Sequence, residues 1–331
     1  MHFPSKEAFL RLATQGNLIP VTRRLLADFE TPLSAYRKIR GHSEAFLLES
    51  VEGGERLGRY SFIGCNPRAV IRQLGSRVEV LEHGRVVDEF TVAPRQRGEG
   101  PQFVRDGLEV VERMLAQYRV VALPGLPPFT GGAVGFIGYE FIHDVEPVVP
   151  RPPHDALGTP TLYFLITDEL VVFDRVGQTI TLLVNAHLRE RVSPATAYEA
   201  AVMELERLVT LLKQPTDSAP ATVPTEEPVA PFESNVPRET FLANVRKAKE
   251  YITAGDIIQV VGSQRFTTPV RATALDVYRA VRSINPSPNM FLLELAGFAL
   301  VGASPEIHVR CMNRQVEIRP IAGTRARGRT P

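Results

Sequence analysis

The sequence predicts an α+β fold, in which helices pack against a mostly antiparallel sheet. Short strand-like runs follow one another with few helices between them, and two of them, Arg77–Leu81 and Arg85–Phe90, are joined by a tight turn at His83-Gly84. Helices and strands do not alternate strictly, as they would in a doubly wound Rossmann domain. The composition, 44% apolar and 23% charged, is that of a globular protein with a packed core.

The first part of the chain, residues 1–213, holds most of the predicted strands. Leu108, Val111 and Leu115 recur at helical spacing, so a helix is expected from about 103 to 118. Ser193 suits the N-cap and Pro194 the first position of a second helix that runs to about 213. The remaining strands are predicted at Ala45–Glu49, Arg59–Gly64, Ala133–Tyr139, Thr161–Thr167, Leu170–Asp174 and Thr179–Asn185.

Residues 214–236 are rich in Pro, Ser, Thr and Ala and have no apolar period, so they are interpreted as a linker. The second domain, 237–331, opens with a helix that Gly255 is placed to cap in the left-handed conformation. A further helix is expected at 274–284. Strands are predicted at Ile257–Val261, Phe291–Leu295, Ala299–Gly302, Ile307–Cys311 and Val316–Ile318.

Composition and motifs exclude several classes of function. The 38 basic and 37 acidic residues are scattered and give a net charge of +1, so neither nucleic acid nor a membrane surface is an expected partner. The two cysteines lack metal-ligand spacing and favour a reducing, cytoplasmic setting. The glycine-dense run from Gly131 to Tyr139 lacks the GxGxxG spacing of a dinucleotide loop, and close backbone packing is the favoured interpretation.

Three groups of motifs together point to a known family. They are Leu47-Leu48-Glu49-Ser50 with Gly58-Arg59-Tyr60-Ser61; Gly255-Asp256-Ile257-Ile258-Gln259 with Ser263-Gln264-Arg265-Phe266; and Asn285-Pro286-Ser287-Pro288 through Ser304-Pro305-Glu306 to Pro320-Ile321-Ala322-Gly323-Thr324-Arg325. The chain resembles the large subunit, component I, of anthranilate synthase, a chorismate-utilising enzyme. The resemblance implies a layered α/β sandwich of two mostly antiparallel sheets with flanking helices.

The resemblance also implies a reaction, in which chorismate and ammonia give anthranilate and pyruvate in tryptophan biosynthesis. It implies Mg²⁺ as cofactor, a glutamine amidotransferase small subunit as partner, and feedback inhibition by tryptophan. Residues 1–213 would then carry part of the regulatory pocket, and 237–331 the start of the chorismate-binding domain. Members of the family continue well past the Pro-Ile-Ala-Gly-Thr loop at residues 320–324. We therefore expect the chain to be an inactive fragment, with the magnesium ligands beyond Pro331.

Gly323 and Thr324 match the family's chorismate-binding loop. A backbone without a Cβ lets its N–H approach an anion, and a threonine hydroxyl can donate a further hydrogen bond. Gln259 lies where relatives that add water carry a lysine base. Because ammonia is already a nucleophile, an amide at this position favours amination. Gln259 and Thr324 are therefore the expected catalytic residues.

Glu49, Ser50, Pro288, Asn289 and Met290 match the family's tryptophan pocket, although a tyrosine is typical where Asn289 stands. Two alternatives remain open. Aminodeoxychorismate synthase is disfavoured because its loop typically carries lysine where this sequence has Ala322. The other alternative is a regulatory module that binds an amino acid without catalysis.

Overall fold

A computed structural model describes residues 1–41, 43–51, 58–93, 100–146, 148–151, 154–216 and 231–321, together with 323, 326 and 328. The helices are α1 (Lys6–Leu12), α2 (Pro32–Ile39), α3 (Gly107–Leu115), α4 (Ile142–Val145), α5 (Pro194–Leu212), α6 (Arg238–Ala254) and α7 (Ala274–Ile284), with a 3₁₀ turn at Tyr139–Phe141. Within these ranges no helix combines the length and apolar character that crossing a bilayer would need.

The strands of the first half are β1 (Leu18–Leu26), β2 (Ala45–Glu49), β3 (Tyr60–Cys65), β4 (Ala69–Leu74), β5 (Arg77–Glu82), β6 (Arg85–Val92), β7 (Phe103–Val104), β8 (Gly132–Ile137), β9 (Leu162–Thr167), β10 (Glu169–Asp174) and β11 (Thr179–His187). Those of the second half are β12 (Glu233–Ser234), β13 (Phe266–Thr267), β14 (Asn289–Leu295), β15 (Phe298–Ser304), β16 (Arg310–Met312) and β17 (Gln315–Glu317).

Backbone contacts divide the chain into two compact units. The first comprises Met1–Thr216 and Ala274–Pro331, and the second comprises Asp217–Thr273. The first unit contains a seven-stranded antiparallel sheet in the order β1-β11-β10-β3-β2-β14-β15. It also contains a six-stranded sheet in the order β7-β6-β5-β4-β9-β8, antiparallel apart from the short β6–β7 pair.

Three apolar clusters hold the first unit together as four layers. Side chains of both sheets, among them Phe46, Leu165 and Leu170, form the cluster between the sheets. The other face of the seven-stranded sheet is covered by α1, α2, α5 and α7. The other face of the six-stranded sheet is covered by α3. This arrangement confirms the predicted α+β sandwich of two mostly antiparallel sheets with flanking helices.

Helix α5 begins where its N-terminal residues predict. The Ser193 hydroxyl accepts a hydrogen bond from the Thr196 backbone N–H at 3.1 Å, and Pro194 occupies the first helical position. The apolar residues Ala197, Ala201, Leu205, Leu208 and Leu212 recur at helical spacing and are buried. The helix predicted from about 103 instead begins at Gly107, because Asp106 caps it by accepting from the Glu109 N–H at 3.0 Å, and Phe103–Val104 is a short strand.

The second unit contains α6 and the β12–β13 pair. Gly255 ends α6 in the left-handed conformation with φ of 85°, as predicted. The strand predicted at Ile257–Val261 is wrong, since these residues form irregular backbone in which Ile258 and Val261 are exposed. A strand needs a neighbour for its backbone N–H and C=O groups, and no described segment pairs with this one.

Candidate functional site

The predicted inhibitor residues come together at one corner of the seven-stranded sheet. Strand β2 ends at Glu49, which lies opposite Met290 on β14. Just beyond this pair, the Val51 N–H donates to the Ser287 carbonyl at 3.1 Å. The structure therefore places the segments 49–51 and 287–290 side by side, although 236 or more residues separate them in the sequence. We call the group Glu49, Ser50, Pro288, Asn289 and Met290 the sheet corner.

Glu49 is bonded to side chains from two other parts of the chain. Its carboxylate is fully buried and accepts hydrogen bonds from Tyr278 Oη at 2.8 Å, Arg282 Nε at 3.1 Å and Arg175 Nη2 at 3.3 Å. A buried carboxylate requires such partners, because an isolated charge is strongly disfavoured away from water. Burial first, and then the Glu49 charge, raises the pKa of Tyr278 well above its usual range, so its hydroxyl remains a donor.

The side chains opposite Glu49 give the sheet corner both apolar and polar surface. Met290 is 1% exposed and lies on the same face as Glu49, the face covered by α7. Ser61 lies opposite Glu49 on β3, and its buried hydroxyl oxygen has no hydrogen-bond partner among the described residues. The Asn289 amide donates to the Ser304 carbonyl at 3.2 Å. This hydrogen bond connects the sheet corner to β15.

The chorismate-loop residues are described in part. Gly323 is exposed, and a Cβ built on it would meet no atom of the described residues within 4 Å, so these residues leave its backbone open to a ligand. Two residues earlier, the Ile321 N–H donates to Glu306 Oε2 at 2.8 Å, which attaches the loop to the motif Ser304-Pro305-Glu306. Thr324 and Ala322 lie outside the described residues.

Gln259 belongs to the second unit, whereas Gly323 belongs to the first. The Gln259 side chain is exposed and makes no hydrogen bond with a described residue. It lies in the irregular segment that follows α6. Its amide is therefore available to a ligand or to another part of the protein.

Sequence analysis missed the three donors to Glu49. Tyr278 and Arg282 are four residues apart on α7, a spacing that places them on one face of the helix. That spacing was visible in the sequence, but the partner that they share was not, because it lies 229 and 233 residues away. Arg175 follows β10 and reaches the same carboxylate from a third part of the chain.

A metal site needs several ligating side chains close together in the described part of the chain. No group of three or more His, Cys, Asp or Glu side chains there is arranged to hold a metal ion.

The fold agrees with comparison to known proteins. Residues 43–331 match the chorismate binding enzyme family, so the chain belongs to this family. Relatives include anthranilate synthase component 1 of Acetivibrio thermocellus, 37% identical over the whole chain, and that of Pseudomonas putida, 40% identical over 98% of it. The resemblance predicted from the motifs is confirmed.

A solved structure is also similar to this chain in fold. Anthranilate synthase component I from Streptococcus pneumoniae TIGR4 is 26% identical, covers 88% of this chain and superposes with a TM-score of 0.62. The chain spans 64% of the length of the two relatives named above and 59% of this solved structure.

Proposed function

We propose that the protein to which this chain belongs is the large subunit of anthranilate synthase, which converts chorismate and ammonia to anthranilate and pyruvate. One observation carries the proposal: similarity at 37–40% identity extends over nearly the whole chain to proteins named anthranilate synthase component 1. The match to the chorismate binding enzyme family over 43–331 supports it.

Within this proposal, the loop at Gly323 binds a carboxylate of chorismate. The open backbone at Gly323 allows its N–H to approach an anionic oxygen as a hydrogen-bond donor. Thr324 is proposed to donate a further hydrogen bond from its hydroxyl. Glu306 acts on the loop indirectly, because its carboxylate accepts from the Ile321 N–H and so fixes where the loop begins.

Gln259 is proposed to line the position from which the nitrogen nucleophile attacks. A neutral amide does not deprotonate water at neutral pH, whereas ammonia needs no deprotonation before it attacks carbon. This difference favours amination over the addition of water. Its exposed position in the second unit leaves the amide free for such a contact.

Further parts of the proposal rest on the family alone. They are a glutamine amidotransferase small subunit that supplies ammonia, tryptophan as inhibitor at the sheet corner, magnesium dependence and a cytoplasmic location. Two free cysteines, Cys65 and Cys311, suit a reducing compartment. Magnesium would neutralise the substrate carboxylate, and no described residue is given a role in binding it.

Genetic complementation tests the function. The complete gene of the full-length protein to which this chain belongs should restore growth without tryptophan to a bacterium that lacks anthranilate synthase component I. Its purified product should release fluorescent anthranilate from chorismate, ammonium and Mg²⁺. A 4-amino product in place of anthranilate would contradict the proposal.

Gln259→Lys tests the role of the amide. The change should lower anthranilate formation at least about tenfold, because a cationic or basic amine then occupies the path of the nucleophile. The matched control is Gln15→Lys, since Gln15 is an exposed glutamine outside the candidate site. Equal anthranilate rates for the two variants would remove Gln259 from the mechanism.

A further inference from the structure

A polar cavity of about 390 Å³ lies in the first unit and shares no residue with the sheet corner or with the loop at Gly323. Strand β5 ends at its wall with Glu82, and β11 ends there with His187. Arg68, which lies between β3 and β4, and Tyr118, which follows α3, also line it. Its volume is within the range of sites that bind small molecules. We call it the end cavity.

Arg68 is held in place on the wall of the end cavity. Its Nε donates to Asp168 Oδ2 at 2.8 Å, and its guanidinium carbon lies 5.1 Å from the centre of the Tyr118 ring, which is a cation–π distance. The Arg68 side chain is only 18% exposed. No described residue accepts a hydrogen bond from its terminal nitrogens, although a guanidinium presents several donors in a fixed fork. These donors are available to an anionic group in the cavity.

His187 is a second polar group of the end cavity that lacks a hydrogen bond. Its Nε2 lies 2.7 Å from Asp168 Oδ2 but without hydrogen-bond geometry, so both buried ring nitrogens are unpaired among the described residues. At least one ring nitrogen carries a proton in either charge state, so a buried donor is left without an acceptor. Packing defects are lined by apolar side chains, whereas this wall is polar and unsatisfied.

Unlike charges line the end cavity without contacting one another. Arg68 and Arg189 are its cations, and Glu82 and Glu190 are its anions. Among the described residues, Arg68 forms an ion pair with Asp168 alone, and the other three charged side chains form none. Arg68 and Glu82 are therefore too far apart to pair, although they line the same space. That space suits a ligand that carries both charges.

Charge balance indicates the class of that ligand. The two glutamates would repel a dianion such as a phosphate ester, and the two arginines would repel a simple amine. A zwitterion adds no net charge, because its carboxylate can accept from the Arg68 guanidinium while its ammonium donates to the Glu82 carboxylate. Both unpaired ends of the cavity then gain a partner of opposite charge.

We propose that the end cavity binds a small zwitterion of the aminocarboxylic acid class, with the ligand carboxylate on Arg68 and the ligand ammonium on Glu82. Asp168 and Tyr118 are positioning residues, because the first bonds to the Arg68 guanidinium and the second stacks against it. Binding here forms no covalent bond and does not depend on the proposed chorismate chemistry.

Calorimetry of the full-length protein at pH 7 tests the proposal with three probes that share a four-carbon chain. They are 4-aminobutyrate, which carries both charges, butyrate, which lacks the ammonium, and butylamine, which lacks the carboxylate. The parent protein should bind 4-aminobutyrate about tenfold or more tightly than it binds either of the other two.

Two variants should act on opposite ends of the ligand. Arg68→Ala should weaken 4-aminobutyrate binding about tenfold or more and leave butylamine binding unchanged or tighter, because it removes the partner of the carboxylate only. Glu82→Gln should weaken 4-aminobutyrate binding by a similar factor and leave butyrate binding unchanged or tighter. Arg68→Lys should retain part of the affinity, because it keeps the charge but not the planar fork.

Arg24→Ala and Glu89→Gln are the matched controls, since both residues are exposed, lie on β1 and β6, and have no ion-pair partner among the described residues. Both variants should bind the probes as the parent does. The proposal is overturned if the parent shows no saturable binding of 4-aminobutyrate, or if Arg68→Ala and Glu82→Gln bind it as tightly as the parent. Circular dichroism melting checks that each variant is folded. If Arg68→Ala is unfolded, the comparison rests on Arg68→Lys and Glu82→Gln, which nearly preserve side-chain size.

Discussion

Cys65 and Cys311 are the same residue type but have different chemistry in the folded protein. Cys65 lies on β3 and is 5% exposed, and burial, followed by the nearby Glu169 charge, raises the pKa of its thiol to about 12. Cys311 lies on β16 and is exposed. Because the thiolate is the reactive species, burial rather than sequence context decides which cysteine reacts.

This difference predicts the number of reactive thiols. At pH 8 a disulfide reagent such as DTNB should modify one thiol per native chain, Cys311, and two in urea. Cys311→Ser should show no fast reaction in the native state, whereas Cys65→Ser should react as the parent does. Rapid release of two equivalents from the native parent would contradict the burial of Cys65.

Single residues also show what sequence analysis could and could not predict at the sheet corner. The motif predicts that Glu49 contacts an inhibitor. Its three donors come from β10's end and from α7, and no local pattern connects those segments. Asn289, the departure from the family pattern, bonds to the Ser304 carbonyl and so has a structural role that the sequence did not indicate.

Glycines set how closely several strands approach one another. The glycine-dense run was predicted to serve close backbone packing, and a Cβ on Gly135 of β8 would overlap the Tyr163 carbonyl oxygen of β9. A Cβ on Gly64 of β3 would instead overlap the ring of Phe46 on β2. The added Cβ would meet backbone at Gly135 but a side chain at Gly64. A smaller neighbouring side chain should therefore relieve the clash at Gly64 only.

We expect both Gly64→Ala and Gly135→Ala to destabilise the first unit, by about 1–3 kcal/mol or more, as overpacking does. Adding Phe46→Leu should recover about 1 kcal/mol or more in Gly64→Ala, because the smaller side chain vacates the space. The same addition should not help Gly135→Ala. Urea unfolding of the single and double variants measures these free energies.

Additive effects of Gly64→Ala and Phe46→Leu would show that the Phe46 ring is not the obstacle. Equal rescue of Gly135→Ala would show that Phe46→Leu acts elsewhere in the core.

Elements were predictable where the chain carries its own start and stop signals. Ser193 and Pro194 start α5, and Gly255 ends α6. The start of α5 and the end of α6 were both predicted from these residues. The segment Ile257–Val261 has the composition of a strand, but a strand forms only when a neighbour accepts its hydrogen bonds. That requirement is non-local, so composition alone gave the wrong answer there.

The order of the strands belongs to the scale of the whole molecule. Strands β2 and β14 are neighbours in the seven-stranded sheet although the paired positions Glu49 and Met290 are 241 positions apart in the sequence (290 − 49). Periodicity within a segment carries no information about such pairings. The two-sheet sandwich was therefore expected from resemblance to a family, and the sheet corner exists only once this long-range pairing has formed.

Long-range ion pairs give the first unit a predictable response to acid. Arg59 donates to both oxygens of Asp174, at 3.0 and 2.7 Å, across 115 residues of sequence. Hydrogen bonding to Arg59 is the main cause that lowers the pKa of Asp174 below its ordinary value of 3.8. A carboxyl group with a lowered pKa in the folded state stabilises the fold above its ordinary pKa, and this stabilisation is lost as the pH falls through the folded-state pKa.

Arg59→Ala should therefore lower the urea midpoint of unfolding at pH 7, and the difference from the parent should shrink as the pH falls below 3.8 and through the lower folded-state pKa, since protonated Asp174 no longer attracts Arg59. The pair is partly exposed, so the effect at pH 7 should be small and should diminish at high salt. Arg85→Ala, which removes an exposed arginine without a partner among the described residues, should show no such pH dependence. A midpoint difference between Arg59→Ala and the parent that stays constant from pH 7 to pH 3 would mean that Arg59 stabilises the fold through packing rather than through the Asp174 charge.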